Sequence, residues 1–225
     1  PRLQISSDRD DAAQMLLDEV VVFSRALTGN EIAVHAASVH SARPSIAQLD
    51  GSNGFVITGA EAGGEAGLAV SSAGDVNSDL VEDLIFGAPG ADRAYVLFGG
   101  SGNFSSTLSA ADLSGRGGIV LVGGAGTQTG YSVGIAGDVD GDGADEVLIG
   151  APGADPADRQ DAGQSYLVFG SGRSFPSAVD LATLDGSTGL VMNGVGAGDS
   201  SGAALGGVGD INGDGLDDFV IGASL

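Results

Sequence analysis

The chain has 225 residues, of which 30 are acidic and 8 are basic, giving a formal net charge of −22. This acidity argues against binding to nucleic acids or anionic membrane surfaces, because both need patches of Lys and Arg. The absence of Cys excludes disulfides and thiolate metal sites. The 41 glycines lack a Gly-X-Y period, which excludes collagen and favours short strands joined by tight turns.

The first 40 residues differ in composition from the rest. Residues 16–23 predict a strand. Thr28 and Glu31 have the spacing of a capping box, which predicts a short helix near 29–37, and 38–44 predict a linker. No run of apolar residues is long enough for a membrane span, and the start at Pro1 without a signal segment leads us to expect a piece of a longer polypeptide.

An acidic segment then occurs three times, as Gly74–Asp83, Gly137–Glu146 and Gly209–Asp218. Each copy is followed by an apolar run that begins at Leu84, Val147 or Phe219. The three units span about 45–112, 113–183 and 184–225, and each full unit holds about four short apolar runs separated by Gly-rich turns.

Four short strands in a unit of this length predict an all-β fold with β-propeller-type blades of four antiparallel strands, about two and a half blades in all. Apolar faces and strand edges should then be exposed at both ends. We expect strands near 67–72, 84–87, 94–98, 118–122, 130–135, 147–150, 165–169, 189–193, 203–208 and 219–222.

The acidic segments have the spacing of a calcium-binding loop. Ca²⁺ takes six to eight oxygen ligands, and side chains at loop positions 1, 3, 5 and 9 can converge with the carbonyl of position 7. The predicted ligands are Asp75, Asn77, Asp79, Val81 and Asp83 in the first loop; Asp138, Asp140, Asp142, Ala144 and Glu146 in the second; and Asp210, Asn212, Asp214, Leu216 and Asp218 in the third. We therefore expect up to three Ca²⁺ ions.

Two other kinds of loop share part of this pattern. A helix–loop–helix calcium site needs Glu at position 12, where this chain has Phe86, Ile149 and Ile221, so that class is excluded. Asp/Gly turns without a metal are the other interpretation, and three copies with one spacing weigh against it. Position 6 should need positive φ, so Leu80 should make the first loop the weakest site, and the Asp138 loop should bind most tightly.

The motifs that surround the loops resemble the FG-GAP repeat family, which includes the propeller of integrin α-subunits and bacterial surface or secreted proteins. The resemblance covers about residues 45–225 and rests on the Gly-Ala-Pro triplets that begin at Gly87 and Gly150 and on the Phe-Gly pairs that begin at Phe98 and Phe169. It implies that calcium lies between the first two strands of each blade and that seven blades close a ring. Residues 17–28 resemble the end of a concanavalin-like (laminin-G-like) jelly-roll domain, so residues 1–40 are interpreted as its C-terminal remnant plus a linker, and 41–225 as the repeats.

Three further motifs give only weak signals of catalysis, metal binding or glycosylation. Gly130–Gly134 fits the G-x-S-x-G nucleophile elbow, but the positions equivalent to Ser132 in the other repeats are Ala69 and Ala204. His35 and His40 are five residues apart, a spacing that does not stack on a helix face, and are interpreted as surface residues. Asn103 begins a glycosylation sequon by pattern only.

The sequence thus predicts a non-enzymatic, calcium-binding, extracellular or cell-surface repeat module that serves as an adhesion or binding scaffold. Its expected partners are an unidentified protein or carbohydrate ligand and further blades of the parent chain, without nucleic acid or membrane insertion. Two alternatives stay open: a non-catalytic accessory region of a large secreted enzyme or toxin-like protein, and a structural spacer.

Overall fold

The computed structural model of the chain describes residues 49–100, 104–113, 117–172 and 175–224. These residues belong to one compact unit, Ser45–Leu225. The strand predicted at 16–23, the helix predicted at 29–37, the laminin-G-like piece, His35, His40 and Asn103 lie outside the described residues.

The described residues form short strands and four single-turn 3-10 helices, which confirms the predicted all-β class. The strands are β1 Val56–Thr58, β2 Val70–Gly74, β3 Asp83–Ala88, β4 Arg93–Leu97, β5 Thr107–Ser109, β6 Gly118–Val122, β7 Ser132–Gly137, β8 Glu146–Ala151, β9 Gln164–Val168, β10 Ala178–Asp180, β11 Gly189–Asn193, β12 Ala204–Gly209 and β13 Asp218–Gly222. The 3-10 helices are Pro89–Ala91, Ala110–Asp112, Pro156–Asp158 and Leu181–Thr183. In this part of the chain, no helix has the length and apolar character needed to cross a membrane.

The strands form two four-stranded antiparallel meanders, as predicted for propeller blades. The first sheet has the order β2-β3-β4-β6, with β10 added in parallel to β6, and the second has the order β7-β8-β9-β11. The third sheet pairs β12 with β13, and β1 pairs in parallel with β5. The inner strand β7 lies between β2 and β12, so the three sheets adjoin along their first strands.

The central strands are continuous apolar runs in the sequence because both of their faces are buried. All six residues of β8 are buried, because β7 and β9 flank the strand and the neighbouring sheets cover its faces. The largest cluster of buried side chains joins the first sheet, through Ile85 and Val96, to the second, through Val147 and Ile149. The core therefore lies between the sheets, and each sheet depends on its neighbour for burial.

The observed strands depart from the predicted ones in two ways. The inner strands begin later than expected, at Val70 rather than 67 and at Ser132 rather than 130, because Gly67 and Gly130 both have φ of +90° and form turns. The strands β1, β5 and β10 were not among those predicted. β5 and β10 are three-residue edge strands held by main-chain pairing, which leaves no long apolar pattern in the sequence. β1 was missed although it lies in the apolar run of residues 55–57, which is equivalent to the runs of β6 and β11.

Candidate metal centre

Each acidic loop connects the first and second strands of its sheet. Residues 75–82 join β2 to β3, residues 138–145 join β7 to β8, and residues 210–217 join β12 to β13. The ninth loop residue, which is Asp83, Glu146 or Asp218, is the first residue of the second strand. The sheet scaffold therefore holds the acid at position 9, while the preceding eight residues fold against it.

The carboxylate at position 1 closes the loop on itself. In the second loop, Asp138 Oδ1 accepts a hydrogen bond from Gly141 N at 2.7 Å, and its Oδ2 accepts one from Gly143 N at 3.1 Å. Asp75 and Asp210 do the same in the other loops, each with backbone N–H groups three to five residues further on. These bonds to the charged form lower the pKa of Asp210.

Positions 3 and 5 repeat the pattern over a shorter distance. Asp140 Oδ1 accepts from Asp142 N at 3.1 Å, and Asp142 Oδ1 accepts from Ala144 N at 2.9 Å. The equivalent bonds are made by Asn77, Asp79, Asn212 and Asp214. One oxygen of each of these side chains is thus held by the backbone, which fixes the direction of the side chain and leaves lone pairs for a cation.

Position 6 has the left-handed conformation that the sequence predicted. The φ angles are +69° at Leu80, +89° at Gly143 and +94° at Gly215. The Leu80 side chain is 94% exposed, so it gains no burial that would offset the backbone strain. Position 4 is also left-handed, with φ of +56° at Ser78 and +79° at both Gly141 and Gly213. This second requirement was not predicted, although glycine at two of the three positions was a signal for it.

The acid at position 9 is the buried member of the first and second loops. Glu146 is fully buried, and its carboxylate accepts hydrogen bonds from Val139 N at 2.7 Å and Gly170 N at 3.2 Å. Burial raises the pKa of Glu146 to about 7 despite these bonds. Asp83 has the same arrangement, with bonds from Val76 N at 3.0 Å and Gly99 N at 2.7 Å, and burial raises its pKa to about 6.

These contacts give the Phe-Gly pairs a function that sequence reasoning did not assign. The glycine of each pair, Gly99 or Gly170, donates its N–H to the acid at position 9, which begins the adjacent strand of the sheet. A side chain at Gly170 would overlap the backbone of Asp145. In the third loop Asp218 accepts from Ile211 N at 3.0 Å and from the Asn212 amide at 3.3 Å.

The second loop brings three of the predicted ligands together. Carboxylate oxygens of Asp138, Asp140 and Glu146 all lie within 4.8 Å of one another. In the described part of the chain these groups have no ion pair with Lys or Arg, and the charges of Asp138 and Asp140 help to raise the pKa of Glu146. Three carboxylates at this separation suit a hard cation with oxygen ligands. The residues therefore fit Ca²⁺.

The remaining predicted side-chain ligands lie outside this set of three carboxylates. Asp142 lies outside the set of three, with one oxygen held by Ala144 N. The first and third loops have Asn at position 3, so the equivalent sets contain two carboxylates and one amide: Asp75, Asn77 and Asp83, and Asp210, Asn212 and Asp218. The carbonyl ligands predicted at Val81, Ala144 and Leu216 remain predictions.

Ser132, at the start of β7, has a structural contact rather than a base. Its hydroxyl donates to the carbonyl of Gly202 at 2.6 Å, which links the second sheet to the turn that precedes the third. No described residue is a histidine, and the two histidines of the chain precede Ser132. The elbow pattern is therefore explained by packing between sheets.

Residues 129–168 match the FG-GAP repeat family. This segment is therefore similar to FG-GAP repeats. The matched segment covers β7, β8 and β9 and includes the whole of the second acidic loop, with its three clustered carboxylates. The match supports the FG-GAP resemblance and includes the Gly-Ala-Pro triplet that begins at Gly150, while the Phe-Gly pair at Phe169 begins one residue beyond it.

A second comparison extends the similarity beyond that repeat. The chain is 32% identical to integrin alpha-PS2 of Drosophila melanogaster over 155 residues, which is 67% of this chain and 10% of that protein. The chain therefore spans about a tenth of the length of this curated relative. Both comparisons support an FG-GAP, integrin-α-like family. Neither supports the laminin-G-like resemblance of the first residues, which stays a prediction.

Proposed function

We propose that this chain is a calcium-binding repeat module of the β-propeller type that serves as a binding or adhesion scaffold outside the cell. The observation that carries the proposal is the convergence of Asp138, Asp140 and Glu146 in a loop that its own backbone N–H groups hold in shape. The FG-GAP match includes this loop, which supports the same interpretation.

The chemistry of the donors favours Ca²⁺ over other metals. The candidate ligands are carboxylate, amide and carbonyl oxygens, and the chain has no Cys to select a softer metal. A net charge of −22 favours cation binding in general. Glu146 is the one Glu among the three position-9 residues. It is fully buried and accepts hydrogen bonds from two backbone N–H groups, so its carboxylate is oriented before a metal binds.

Similarity to an integrin α-chain supports a place outside the cell, where the high concentration of free Ca²⁺ suits sites of modest affinity. The ligand would be a protein or a carbohydrate, and further blades of a longer chain would be additional partners. No catalytic role is proposed, because the serine of the nucleophile-elbow pattern, Ser132, donates its hydroxyl to the Gly202 carbonyl between two sheets.

Calorimetric titration with Ca²⁺ tests the proposal. We expect the wild-type chain to bind up to three ions, with the tightest site lost in Asp140→Ala and the weaker sites lost in Asp79→Ala and Asp214→Ala. Ca²⁺ at a hundred times its Kd should stabilise the fold by about 2.7 kcal/mol per site. Asp112→Ala, which removes an exposed carboxylate outside the loops, is the matched control.

Titrations that give the same binding for all four variants as for the wild type would overturn the calcium assignment. Loss of the tightest site in Asp79→Ala, rather than in Asp140→Ala, would contradict the ranking of the loops while leaving calcium binding in place.

A further inference from the structure

One residue of the second acidic loop binds the first loop rather than its own. Asp145 follows the predicted ligand Ala144 and precedes Glu146. Its carboxylate accepts a hydrogen bond from the Asp75 N–H at 2.8 Å, and its own N–H donates to the Asp75 carbonyl at 3.1 Å. A Cβ atom at Gly74 would overlap the Asp145 carboxylate, so glycine there allows this close approach. Both backbone polar groups of Asp75, the first predicted ligand of the first loop, are thus bound by one residue of the second.

A second set of hydrogen bonds joins the same two loops through the Phe-Gly segment. Gly170 N donates to the Glu146 carboxylate at 3.2 Å, and the next residue, Ser171, donates its N–H to the Val76 carbonyl at 2.8 Å. The Val76 N–H in turn donates to the Asp83 carboxylate at 3.0 Å. Three backbone donors therefore connect the position-9 acids of the two loops, and Val76 in the middle of this connection is fully buried.

Residues 144–146 are shared by the two loops. The outer two are predicted ligands of the second loop, and the middle one, Asp145, binds the first. Carboxylate oxygens of Asp138, Asp140 and Glu146 lie within 4.8 Å of one another and repel, so a divalent cation among them should draw the loop together. The same ion would then hold residue 145 in place. An element whose arrangement is influenced by two sites is the physical requirement for coupling between them.

We propose, on the basis of the calcium binding proposed above, that Asp145 is a positioning residue for the first loop, through which Ca²⁺ in the second loop strengthens Ca²⁺ binding in the first. An ion in the second loop fixes Asp145 and Glu146. Asp145 in turn fixes the Asp75 backbone, and Glu146 fixes the backbone donors that lead to Asp83. Part of the ordering that the first loop needs has then already taken place. Linkage makes the effect reciprocal, so an ion in the first loop strengthens binding in the second by the same factor.

Charge acts on the two loops beside the hydrogen bonds. Two divalent cations in neighbouring loops repel each other, which opposes coupling of this sign, whereas the Asp145 carboxylate attracts both ions. Salt screens these interactions between charges, but it has much less effect on short hydrogen bonds between partly buried groups. Coupling that depends on the position of Asp145 should therefore persist as NaCl is added, and coupling that depends on its charge alone should disappear.

Calorimetric Ca²⁺ titration of variants of the complete 225-residue chain tests the proposal. Asp214→Ala disables the third loop and leaves the other two, and Asp140→Ala combined with Asp214→Ala leaves only the first. We expect the Kd of the first loop to be higher by about fivefold or more in the double variant than in Asp214→Ala, where the second loop is loaded. Adding Asp145→Ala to both chains should make the two Kd values equal, and Asp145→Asn, which keeps an acceptor oxygen, should preserve most of the difference.

Asp217→Ala is the matched control. Asp217 binds Asp138 as Asp145 binds Asp75, with hydrogen bonds of 3.1 and 3.0 Å, but it joins the third loop to the second. Added to the same two chains, Asp217→Ala should leave the difference in first-loop Kd unchanged, even where it lowers the stability of the fold. A general loss of stability would instead affect Asp145→Ala and Asp217→Ala alike.

Urea unfolding verifies the fold of each variant. If Asp145→Ala is unfolded, the equivalent link between the second and third loops replaces it. Asp79→Ala then disables the first loop, and Asp217→Ala should abolish the effect of a loaded second loop on the Kd of the third.

The possible failures are distinguishable. A wild-type chain that binds no Ca²⁺ in any loop would overturn the proposed function together with the coupling. Ca²⁺ binding in which the Kd of the first loop is the same with and without an intact second loop would overturn the coupling alone. A difference in Kd that survives Asp145→Ala, or one that Asp145→Asn or high NaCl abolishes, would overturn the positioning role of Asp145.

Discussion

Two hydrogen bonds join Asp145 of the second acidic loop to Asp75 of the first, and we call this pair of bonds a clasp between the two sheets. The Asp145 carboxylate accepts a hydrogen bond from the Asp75 N–H at 2.8 Å, and the Asp145 N–H donates to the Asp75 carbonyl at 3.1 Å. Asp217 and Asp138 repeat the pair one sheet further on, at 3.1 and 3.0 Å. The eighth residue of the second and of the third loop thus binds the first residue of the preceding loop, so hydrogen bonds link neighbouring candidate metal loops.

Removal of this clasp should lower stability. Asp145→Ala deprives the half-buried Asp75 N–H of its acceptor, so we expect a loss of about 1–3 kcal/mol in the free energy of unfolding. Asp145→Asn keeps a carbonyl oxygen as acceptor and should lose less. Urea unfolding without Ca²⁺ measures both, and equal losses for the two variants would mean that the hydrogen bond is not the cause.

The strain at position 6 can be tested by a reciprocal exchange. Leu80→Gly relieves a left-handed leucine that is almost entirely exposed, so we expect stabilisation by about 0.5–1 kcal/mol and tighter Ca²⁺ binding in the first loop. Gly143→Leu imposes the same strain on the second loop, where the space is open, and should cost about 1–2 kcal/mol. Unfolding and calorimetric titration measure the pair. Changes of the same sign in both variants would contradict the strain argument.

Close approach of sheets should make Gly150 sensitive to a single methyl group. Gly150→Ala forces β8 away from the turn at Gly202, and we expect a loss of about 1–3 kcal/mol. Gly206→Ala, on the neighbouring inner strand, is the control and should be nearly neutral. Thermal unfolding of the two variants compares them, and a neutral Gly150→Ala would show that the sheets can separate at little cost.

The hydroxyl of Ser132 should matter for stability and not for hydrolysis. Ser132→Ala loses the hydrogen bond to Gly202, which should cost about 1 kcal/mol, and alanine already occupies the equivalent positions Ala69 and Ala204. Neither the wild type nor the variant should hydrolyse p-nitrophenyl acetate above the background rate. Hydrolysis by the wild type that Ser132→Ala abolishes would contradict the non-enzymatic interpretation.

Much of the fold was predictable because its signals are local. The strand pattern depends on short apolar runs, and each run lies beside its sheet neighbours along the chain, so repetition of the pattern was enough to predict antiparallel blades. The left-handed position 6 was predictable for a similar reason: Gly143 and Gly215 occupy a tight turn whose backbone geometry is set within a few residues. The edge strands β5 and β10 left no such signal.

The sequence by itself determined the repeat, the class of strand and the acidic loops, since position 1 and its donors are at most five residues apart. Only the tertiary structure decided which acids meet and what the motif glycines do. Asp145 meets Asp75 at a separation of 70 residues, and Gly170, which follows β9, donates to Glu146 at the start of the adjacent strand β8, 24 residues earlier. A clasp of this kind depends on how two sheets are set against each other, which is fixed by burial between them and not by the spacing of residues within either one.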